Sequence, residues 1–191
     1  MNKLDGLNFL KYYLFNTVEL ISFDYIMSDD YKINDGLSVR LASKNSNSID
    51  VYLPSLHNCF SKEQIKLFYE QYNKDYYILI HKTVNPNSIG SLSKYDIADV
   101  SKIVIEIFSD FEKRKRGIIE ERYLFDVISD KYLKYDKNIE KKYIDLVRMV
   151  NIIPFKSFDI EFVTEYGEFI FTDFYSKEFR DSLKEYVRKR I

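Results

Sequence analysis

Apolar residues recur along the chain either at helical spacing or in short runs rich in β-branched and aromatic residues. Leu7, Leu10 and Leu14 lie three or four residues apart, which predicts an N-terminal helix. A Ser-x-x-Gln capping box at Ser61, followed by one apolar face, predicts a helix over 61–73. The same spacing predicts two further helices, at 139–150 and 176–190.

Between these helices lie several short runs that are typical of strands. The order helix, strands, helix, strands, helix, hairpin, helix predicts an α+β fold with a largely antiparallel sheet and packed helices. We expect a single domain over 1–191, with a small lobe at 1–75 and a larger lobe at 76–191. The predicted strands before the hairpin are 19–27, 37–42, 49–53, 75–84, 102–108 and 122–128.

The hairpin FDIEFVTEYGEFIFTDF (158–174) carries three acids among its apolar residues, namely Asp159, Glu161 and Asp173. If its loop is the three-residue stretch 165–167, with the glycine in the left-handed region, all three acids share one face. A two-residue loop would instead place Glu161 and Asp173 on opposite faces. The register of the hairpin therefore decides whether these acids can act together.

Carboxylates that share one face of a sheet repel one another unless a cation or a basic side chain lies between them. Their hard oxygen atoms suit Mg²⁺, which keeps several waters and is completed by substrate phosphates. The alternative is a sheet face that points its acids into water, as antiparallel sheets commonly do. The hairpin alone leaves both interpretations open.

Composition and charge limit the classes of partner. The formal net charge is −1, so the chain has no overall field that would attract nucleic acid or an acidic membrane. Cys59 is the only cysteine, which excludes an internal disulfide and fits a reducing compartment. Charges interrupt the apolar residues of the N-terminus before they form a signal peptide or a membrane span. We therefore expect a cytoplasmic protein.

Other reactive side chains point to no separate chemistry. His57 and His81 are the only histidines, and with one cysteine they cannot supply a structural zinc site. Cys59 lies two residues from His57 in a predicted loop, which favours a structural cysteine over a nucleophile. The basic run 113–116 is typical of a solvated loop, although it could also contact phosphates.

The order of several segments resembles a known family. These segments are GLNFLKYYLFNTVELISFDYI, LSVRLAS, YYILIHKTVNPNSIGSLSKY, KIVIEIFSDFEKRKRGIIEERYLFDV and the hairpin. Their succession resembles the nucleotide-binding domain of the pyruvate phosphate dikinase and phosphoenolpyruvate synthase group, a branch of the ATP-grasp superfamily. The resemblance implies an ATP-grasp-like fold with a reduced N-terminal lobe, because only about forty residues precede the strand that carries Arg40.

The resemblance also implies roles for particular residues. Arg40 and Lys82 would neutralise the phosphates of ATP, and Glu106 would line the same nucleotide cleft. Arg40 could equally be a structural arginine that pairs with Glu106 or with an acid of the hairpin. The residues that the resemblance implies as Mg²⁺ ligands are Glu161, Asp173 and Asp159.

Two functions remain open at this point. The first is a protein that binds ATP and Mg²⁺ between its two lobes and transfers a phosphoryl group to an unidentified protein or small-molecule acceptor. The second is a non-catalytic binding or regulatory module that keeps the fold without turnover. The retained arginine and acids favour the first, whereas the short first lobe and the missing glycine-rich phosphate loop favour the second.

Overall fold

The structure is a computed structural model that describes residues 2–45, 53–97, 100–129, 132–136 and 138–178. The chain forms two compact units. The first unit consists of Met1–Asn85 and Ile170–Asp173, and the second of Pro86–Phe169 and Phe174–Ile191. The division after Asn85 lies beyond the predicted lobe boundary at residue 75, because the strand at 76–82 pairs with the strand at 37–43.

The first unit contains a three-stranded antiparallel sheet with helices beside it. The central strand is β1, so the order is β2-β1-β3. The predictions of a helix at 61–73 and of strands at 37–42 and 75–84 are confirmed. The elements are α1 (Lys3–Tyr12), α2 (Phe23–Met27), β1 (Leu37–Ser43), β2 (Ser55–Cys59), α3 (Lys62–Tyr72) and β3 (Tyr76–Lys82).

One face of this sheet is apolar and packs against α2 and α3. Leu37 and Val39 of β1 are fully buried there, together with Ile26 of α2 and Ile65 of α3. Ser61 caps α3, since its hydroxyl accepts a hydrogen bond from the backbone N–H of Gln64 at 3.2 Å. Burial of this face is the main source of stability for the unit.

Three predictions about the first unit need comment. The predicted strand at 19–27 is wrong, because Ser22 caps the short helix α2 through the backbone N–H of Tyr25. Leu14 does not extend α1; it lies beyond the helix with φ 62° and is exposed. The predicted strand at 49–53 lies almost entirely outside the described residues, whereas β2 begins at Ser55, where no strand was predicted.

The second unit contains a six-stranded sheet in the order β7-β6-β5-β4-β8-β9, except that Ile170–Asp173 of β9 belong to the first unit. The pairs from β7 to β8 in this order are antiparallel. The structure therefore confirms an α+β fold with antiparallel sheets. The elements are β4 (Ser88–Ile97), β5 (Val100–Phe108), α4 (Phe111–Lys115), β6 (Glu121–Ser129), β7 (Tyr132–Lys134), α5 (Lys141–Val150), β8 (Phe158–Glu165) and β9 (Glu168–Tyr175).

Helix α5 covers one face of the six-stranded sheet. Its apolar stripe includes Tyr143, Leu146 and Val150, which are buried as the spacing predicts. The ring of Tyr143 contacts the ring of Tyr123 on β6, with centroids 4.7 Å apart. The other face of the sheet carries polar side chains and is described below.

Strand β4 was not predicted, because the sequence NPNSIG was interpreted as a loop. The strand instead begins at Ser88 and places Gly90 directly opposite Phe162 of β8. A Cβ atom added to Gly90 would lie 2.1 Å from Cζ of the Phe162 ring. This glycine therefore allows a close approach of an aromatic ring to the backbone and does not mark a turn.

The hairpin of β8 and β9 is confirmed, and its loop is the two-residue alternative rather than the three-residue one. The strands end at Glu165 and resume at Glu168, so the loop contains only Tyr166 and Gly167. Both loop residues have positive φ, 51° and 85°, as a tight two-residue turn requires. The condition under which Asp159, Glu161 and Asp173 would share one face is therefore not met.

Most of the predicted C-terminal helix at 176–190 falls outside the described residues. Within the described part of the chain, no helix has the length and apolar character needed to span a bilayer.

Candidate functional site

A row of polar residues crosses the face of the six-stranded sheet that carries Ser91. Ser91 of β4 lies opposite Glu106 of β5 on one side and Glu161 of β8 on the other. Glu106 in turn lies opposite Arg122 of β6. Directly opposite residues of antiparallel strands project from the same face, so these four side chains form one row. We call Arg122, Glu106, Ser91 and Glu161 the Ser91 row.

The Ser91 row lies on the face opposite to α5. Leu92, the next residue of β4, is fully buried and lies opposite Ile105 of β5 and Ile160 of β8. Ile105 in turn lies opposite Tyr123 of β6, whose ring contacts α5. Side chains alternate along a strand, so Ser91 points away from that core. The structure thus brings together Glu106 and Glu161, two residues that the resemblance assigned to one cleft.

Asp159 lies on the same face as Glu161, two residues earlier on β8. It faces Ser93 of β4, and the Ser93 hydroxyl donates a hydrogen bond to Asp159 Oδ1 at 2.6 Å. Asp159 is exposed, in keeping with a sheet face that meets water.

Glu161 is held by an arginine of the same unit. Arg114 Nη1 donates to Glu161 Oε2 at 3.1 Å, and Arg114 Nη2 binds the other carboxylate oxygen. The two side chains are 28% and 33% exposed, so the pair is partly shielded from water. A guanidinium that binds both oxygens of a carboxylate is a strong and directional ion pair.

Arg114 was missed by the sequence analysis, which interpreted 113–116 as a solvated loop or a phosphate contact. The run instead lies in the short helix α4, where Asp110 Oδ1 accepts from the backbone N–H of Lys113 at 2.7 Å. Asp110 was the available signal, because aspartate is a preferred N-cap residue. The partner of Arg114, 47 residues away, could not be read from this local pattern.

Glu106 has a similar arrangement on the neighbouring strands. Arg122 donates from Nε at 3.0 Å and from Nη2 at 2.6 Å, both to Glu106 Oε1. Both acids of the Ser91 row therefore have a guanidinium beside them. These cations remove the repulsion that two carboxylates on one face would otherwise produce.

Asp173 belongs to the first unit rather than the second. It forms an ion pair with Lys3 of α1, and both side chains are about one-fifth exposed. Among the described residues, no group of three or more His, Cys, Asp or Glu side chains is arranged to hold a metal ion. The three acids proposed as Mg²⁺ ligands therefore do not form a ready-made metal cage in the part of the chain that is described.

The donor chemistry still fits Mg²⁺ in a more limited way. Mg²⁺ at phosphate-transfer sites is commonly held by one or two carboxylates, with waters and substrate phosphates as the other ligands. Glu161 and Asp159 offer such carboxylates on one sheet face. Glu161 could take this role only after Arg114 has moved away from its oxygens.

Arg40 lies on the first unit's sheet, opposite Leu79 of β3 and Ser55 of β2. Two residues earlier on β1, Ser38 lies opposite His81. Arg40, Ser38 and His81 therefore share one face of this sheet. His81 was missed as a neighbour of Arg40 because the pairing register of β1 and β3 cannot be derived from either strand alone.

His81 is neutral at physiological pH because of its surroundings. Its pKa is lowered from 6.5 to about 4, chiefly by burial and also by the charges of Arg40 and His57, against the opposite effect of a backbone hydrogen bond. That bond joins His81 Nδ1 to the carbonyl oxygen of Lys82 at 2.7 Å. Because a carbonyl only accepts, Nδ1 carries the proton and Nε2 is left as an acceptor.

Lys82 does not share this face. It lies opposite Leu37, whereas Arg40 lies opposite Leu79, so the two cations project from opposite faces of the sheet. The structure therefore does not bring Arg40 and Lys82 together on one face, and their role as phosphate contacts stays a prediction. Lys82 instead pairs with Asp35 at 3.1 Å, and the hydrogen bond from this exposed pair raises the lysine pKa.

His57 and Cys59 lie on β2 rather than in a loop. His57 Nε2 is 3.0 Å from the hydroxyl oxygen of Ser55. Cys59 is buried, and its thiol donates to Gln64 Oε1 at 3.3 Å. This confirms the interpretation of Cys59 as a structural residue of the apolar core.

Comparisons with known proteins define the fold. No protein-family model matches the chain, and no curated protein matches it. Solved structures do match, and three of them come from Ca. Korarchaeum cryptofilum. The first is ACD1 in complex with coenzyme A, with a TM-score of 0.61 and 11% identity over 91% of each chain.

The other two are structures of dinucleotide forming acetyl-coenzyme A synthetase 1. One contains coenzyme A, Ca-AMPCP and HgCl+, and matches with a TM-score of 0.59 and 12% identity. The other contains coenzyme A, acetyl-coenzyme A and a phosphorylated phosphohistidine segment, and matches with a TM-score of 0.57 and 10% identity. Each match covers 91% of both chains.

At these identities the likeness concerns the fold alone. The matching structures share the fold of this chain over most of its length. They do not single out the pyruvate phosphate dikinase branch that the segment order resembles. The polar sheet faces and the structural matches together lead to one conclusion: this chain has an α+β, ATP-grasp-like fold.

Proposed function

We propose that this protein binds ATP together with Mg²⁺. The observation that carries the proposal is its ATP-grasp-like fold, shared over 91% of the chain with a structure that contains the nucleotide analogue Ca-AMPCP. The Ser91 row supports it, because Glu161 and Glu106 lie on one exposed sheet face. Two carboxylates so placed match the donor atoms that Mg²⁺ prefers.

Each proposed residue has a defined task. Arg40 stays a predicted phosphate contact on the sheet of the first unit, for which a planar guanidinium with several donors is well suited. Glu161 binds the metal, and Asp159, on the same face, is its second carboxylate or holds a metal-bound water. Lys82 and Asp173 are left out, because Lys82 projects from the face opposite to Arg40 and Asp173 pairs with Lys3.

The finer form of the proposal is transfer of a phosphoryl group from ATP to a protein or small-molecule acceptor. Such transfer rests mainly on positioning and on neutralising phosphate charge, so it requires no protein nucleophile. The metal held by Glu161 would supply that neutralisation. Such an activity would make the protein an ATP-dependent phosphotransferase or ligase.

A second candidate is a nucleotide-binding module without turnover. The observation that favours it is that Glu161 and Glu106 are already bound by Arg114 and Arg122. If these guanidinium groups remain in place with nucleotide present, the metal has no free carboxylate in the Ser91 row. Nucleotide would then bind without dependence on Mg²⁺.

A thermal-shift titration with ATP, ADP and GTP, with and without Mg²⁺, tests the proposal. Ligand that binds only the folded state raises the melting temperature. We expect stabilisation by ATP that depends on Mg²⁺ and is lost in Glu161→Ala. Glu168→Ala is the matched control, because Glu168 is an exposed acid of the same hairpin.

Each outcome of the titration has a distinct meaning. Stabilisation by ATP in EDTA would favour the module without turnover. No shift at millimolar nucleotide would overturn nucleotide binding in both forms. If Mg²⁺-dependent binding is found, an assay of ADP release then tests phosphoryl transfer.

A further inference from the structure

Helix α4 is joined to the sheet in an unusual way. It lies in the segment 109–120 between β5 and β6, and none of its five residues is buried. Hydrogen bonds within the segment give it a defined shape. Lys113 Nζ contacts Glu120 Oε1 at 2.5 Å, and the backbone N–H of Ile118 donates to the carbonyl of Lys113 at 2.9 Å. The segment is therefore held in shape by its own hydrogen bonds, and α4 places no fully buried side chain in the core.

The ion pair of Arg114 with Glu161 ties this segment to β8. One side chain comes from α4 and the other from the middle of a sheet strand, and both oxygens of the carboxylate take part. Both partners retain partial contact with water, so the pair can exchange with solvent or with a ligand. A helix of five residues is not stable without tertiary contacts, so α4 depends on such anchors.

A metal ion cannot use Glu161 while Arg114 holds both of its oxygens. If a metal ion displaced Arg114 from Glu161, the guanidinium would lose its carboxylate partner, which costs free energy. Nucleotide phosphates would change this balance, because they offer Arg114 a new anionic partner that its planar donors fit well. Metal and phosphates arriving together therefore exchange one set of ion pairs for another.

We infer that Arg114 is a positioning residue that latches Glu161, so that the carboxylate accepts a divalent cation only together with nucleotide phosphates. Mg²⁺ alone leaves the latch closed, and Mg²⁺ with nucleotide opens it and frees the α4 segment. This inference rests on the proposed function, because it concerns the same carboxylate. It adds that ligand binding loosens α4 and that Arg114 controls this change.

Hydrogen–deuterium exchange of the peptide 109–120 tests the latch. The full chain is measured without ligand, with Mg²⁺ alone, with the ATP analogue AMP-PNP in EDTA, and with Mg²⁺ plus AMP-PNP. We expect exchange in this peptide to rise about tenfold only with Mg²⁺ plus AMP-PNP, since α4 then loses its tie to strand β8 and Arg114 holds only the ligand phosphates. Thermal stabilisation under the same conditions reports binding independently.

Two variants separate a latch from a general structural role. Arg114→Gln should show the fast exchange of 109–120 without ligand, and Mg²⁺ plus AMP-PNP should add nothing further. Arg114→Lys keeps the positive charge but not the planar set of donors. Its exchange rate in 109–120 should therefore lie between those of Arg114→Gln and the natural protein. Arg122→Gln is the matched control, because Arg122 pairs with Glu106 in the same row and should leave exchange in 109–120 unchanged.

The outcomes distinguish the latch from the proposed function. If Mg²⁺ plus AMP-PNP stabilises the protein while exchange in 109–120 stays constant or slows, the latch is overturned and nucleotide binding stands. If no nucleotide stabilises the protein, both the proposed nucleotide binding and the latch are overturned. If Arg122→Gln speeds exchange in 109–120 as much as Arg114→Gln does, the assignment to Arg114 is wrong.

Discussion

Arg114 donates hydrogen bonds to both carboxylate oxygens of Glu161, so a guanidinium of the chain itself occupies the acid that the hairpin sequence marks as a metal ligand. The arginine comes from the short helix α4 and the acid from β8. This relationship links the polar sheet face to a short helix that has no buried residue. Its strength, and its response to ligands, are open to measurement.

A double-mutant cycle should show that Arg114 and Glu161 are energetically coupled. We expect Arg114→Gln and Glu161→Gln each to lower the free energy of unfolding, with a coupling of about 1 kcal/mol, because the pair is bidentate and partly shielded. Urea denaturation of the four proteins measures it. The matched control is the pair Lys115 and Glu112, which are 73% and 67% exposed and should show weak coupling. Additive effects at Arg114 and Glu161 would contradict the prediction.

Replacement of Gly90 should destabilise the second unit. In Gly90→Ala the new methyl group meets the Phe162 ring at 2.1 Å, and Phe162 is fully buried. We expect a loss of about 1–3 kcal/mol, the usual range for overpacking, measured by urea denaturation. Adding Phe162→Leu to Gly90→Ala should restore part of the loss relative to Phe162→Leu alone. A neutral Gly90→Ala would show that the ring has room to move aside.

The hairpin turn offers a stabilising substitution. Tyr166 is 94% exposed and has a φ of 51°, a backbone conformation that asparagine adopts more readily than tyrosine. We expect Tyr166→Asn to raise the free energy of unfolding by about 0.5 kcal/mol or more. Gly167→Ala, at a φ of 85° with open space around it, should lower the same quantity by about 1 kcal/mol. A loss of stability in Tyr166→Asn, or a gain in Gly167→Ala, would contradict the two-residue turn.

The pH dependence of stability should report on His81. Its pKa is about 4 in the folded chain, below the value of 6.5 expected for the unfolded chain, so the unfolded state binds the proton more readily. The stability that neutral His81 provides is complete above pH 6.5 and is lost as the pH falls towards 4. The loss should approach about 3 kcal/mol at the lower end of this window.

Urea denaturation at several pH values between 7.5 and 4 measures this effect. His81→Gln should flatten the fall in stability relative to the natural protein, because glutamine does not titrate. His57→Gln serves as the control, since His57 is exposed and should leave most of the fall in place. Parallel curves for the natural protein and His81→Gln would contradict the assignment.

Local patterns in the sequence predicted much of the fold. The capping box at Ser61 located α3, the apolar stripe located α5, and the β-rich runs located β1, β3, β5 and β6. These signals depend only on neighbouring residues, so they can be recognised without knowledge of the tertiary structure. The segment around Ser22 was assigned wrongly, because a serine cap within an apolar run favours a short helix over a strand.

The candidate site was less predictable because it depends on register and on long-range pairs. The hairpin has a two-residue loop, which shifts its register by one position relative to a three-residue loop. The three acids therefore do not share one face. The β1–β3 register separated Lys82 from Arg40 and placed His81 beside it instead. Arg114 and Glu161 are 47 residues apart, and neither residue alone indicates the other.

The central claim is that this ATP-grasp-like chain binds ATP with Mg²⁺ through Glu161. Titration calorimetry of ATP into the natural protein, with Mg²⁺ and with EDTA, tests it most directly. We predict saturable one-site binding with Mg²⁺, weakened about tenfold in Glu161→Gln and unchanged in Glu168→Gln, since one lost metal ligand is worth about 1.4 kcal/mol or more. Absence of saturable binding at millimolar ATP, or equal affinity in Glu161→Gln, would contradict the account.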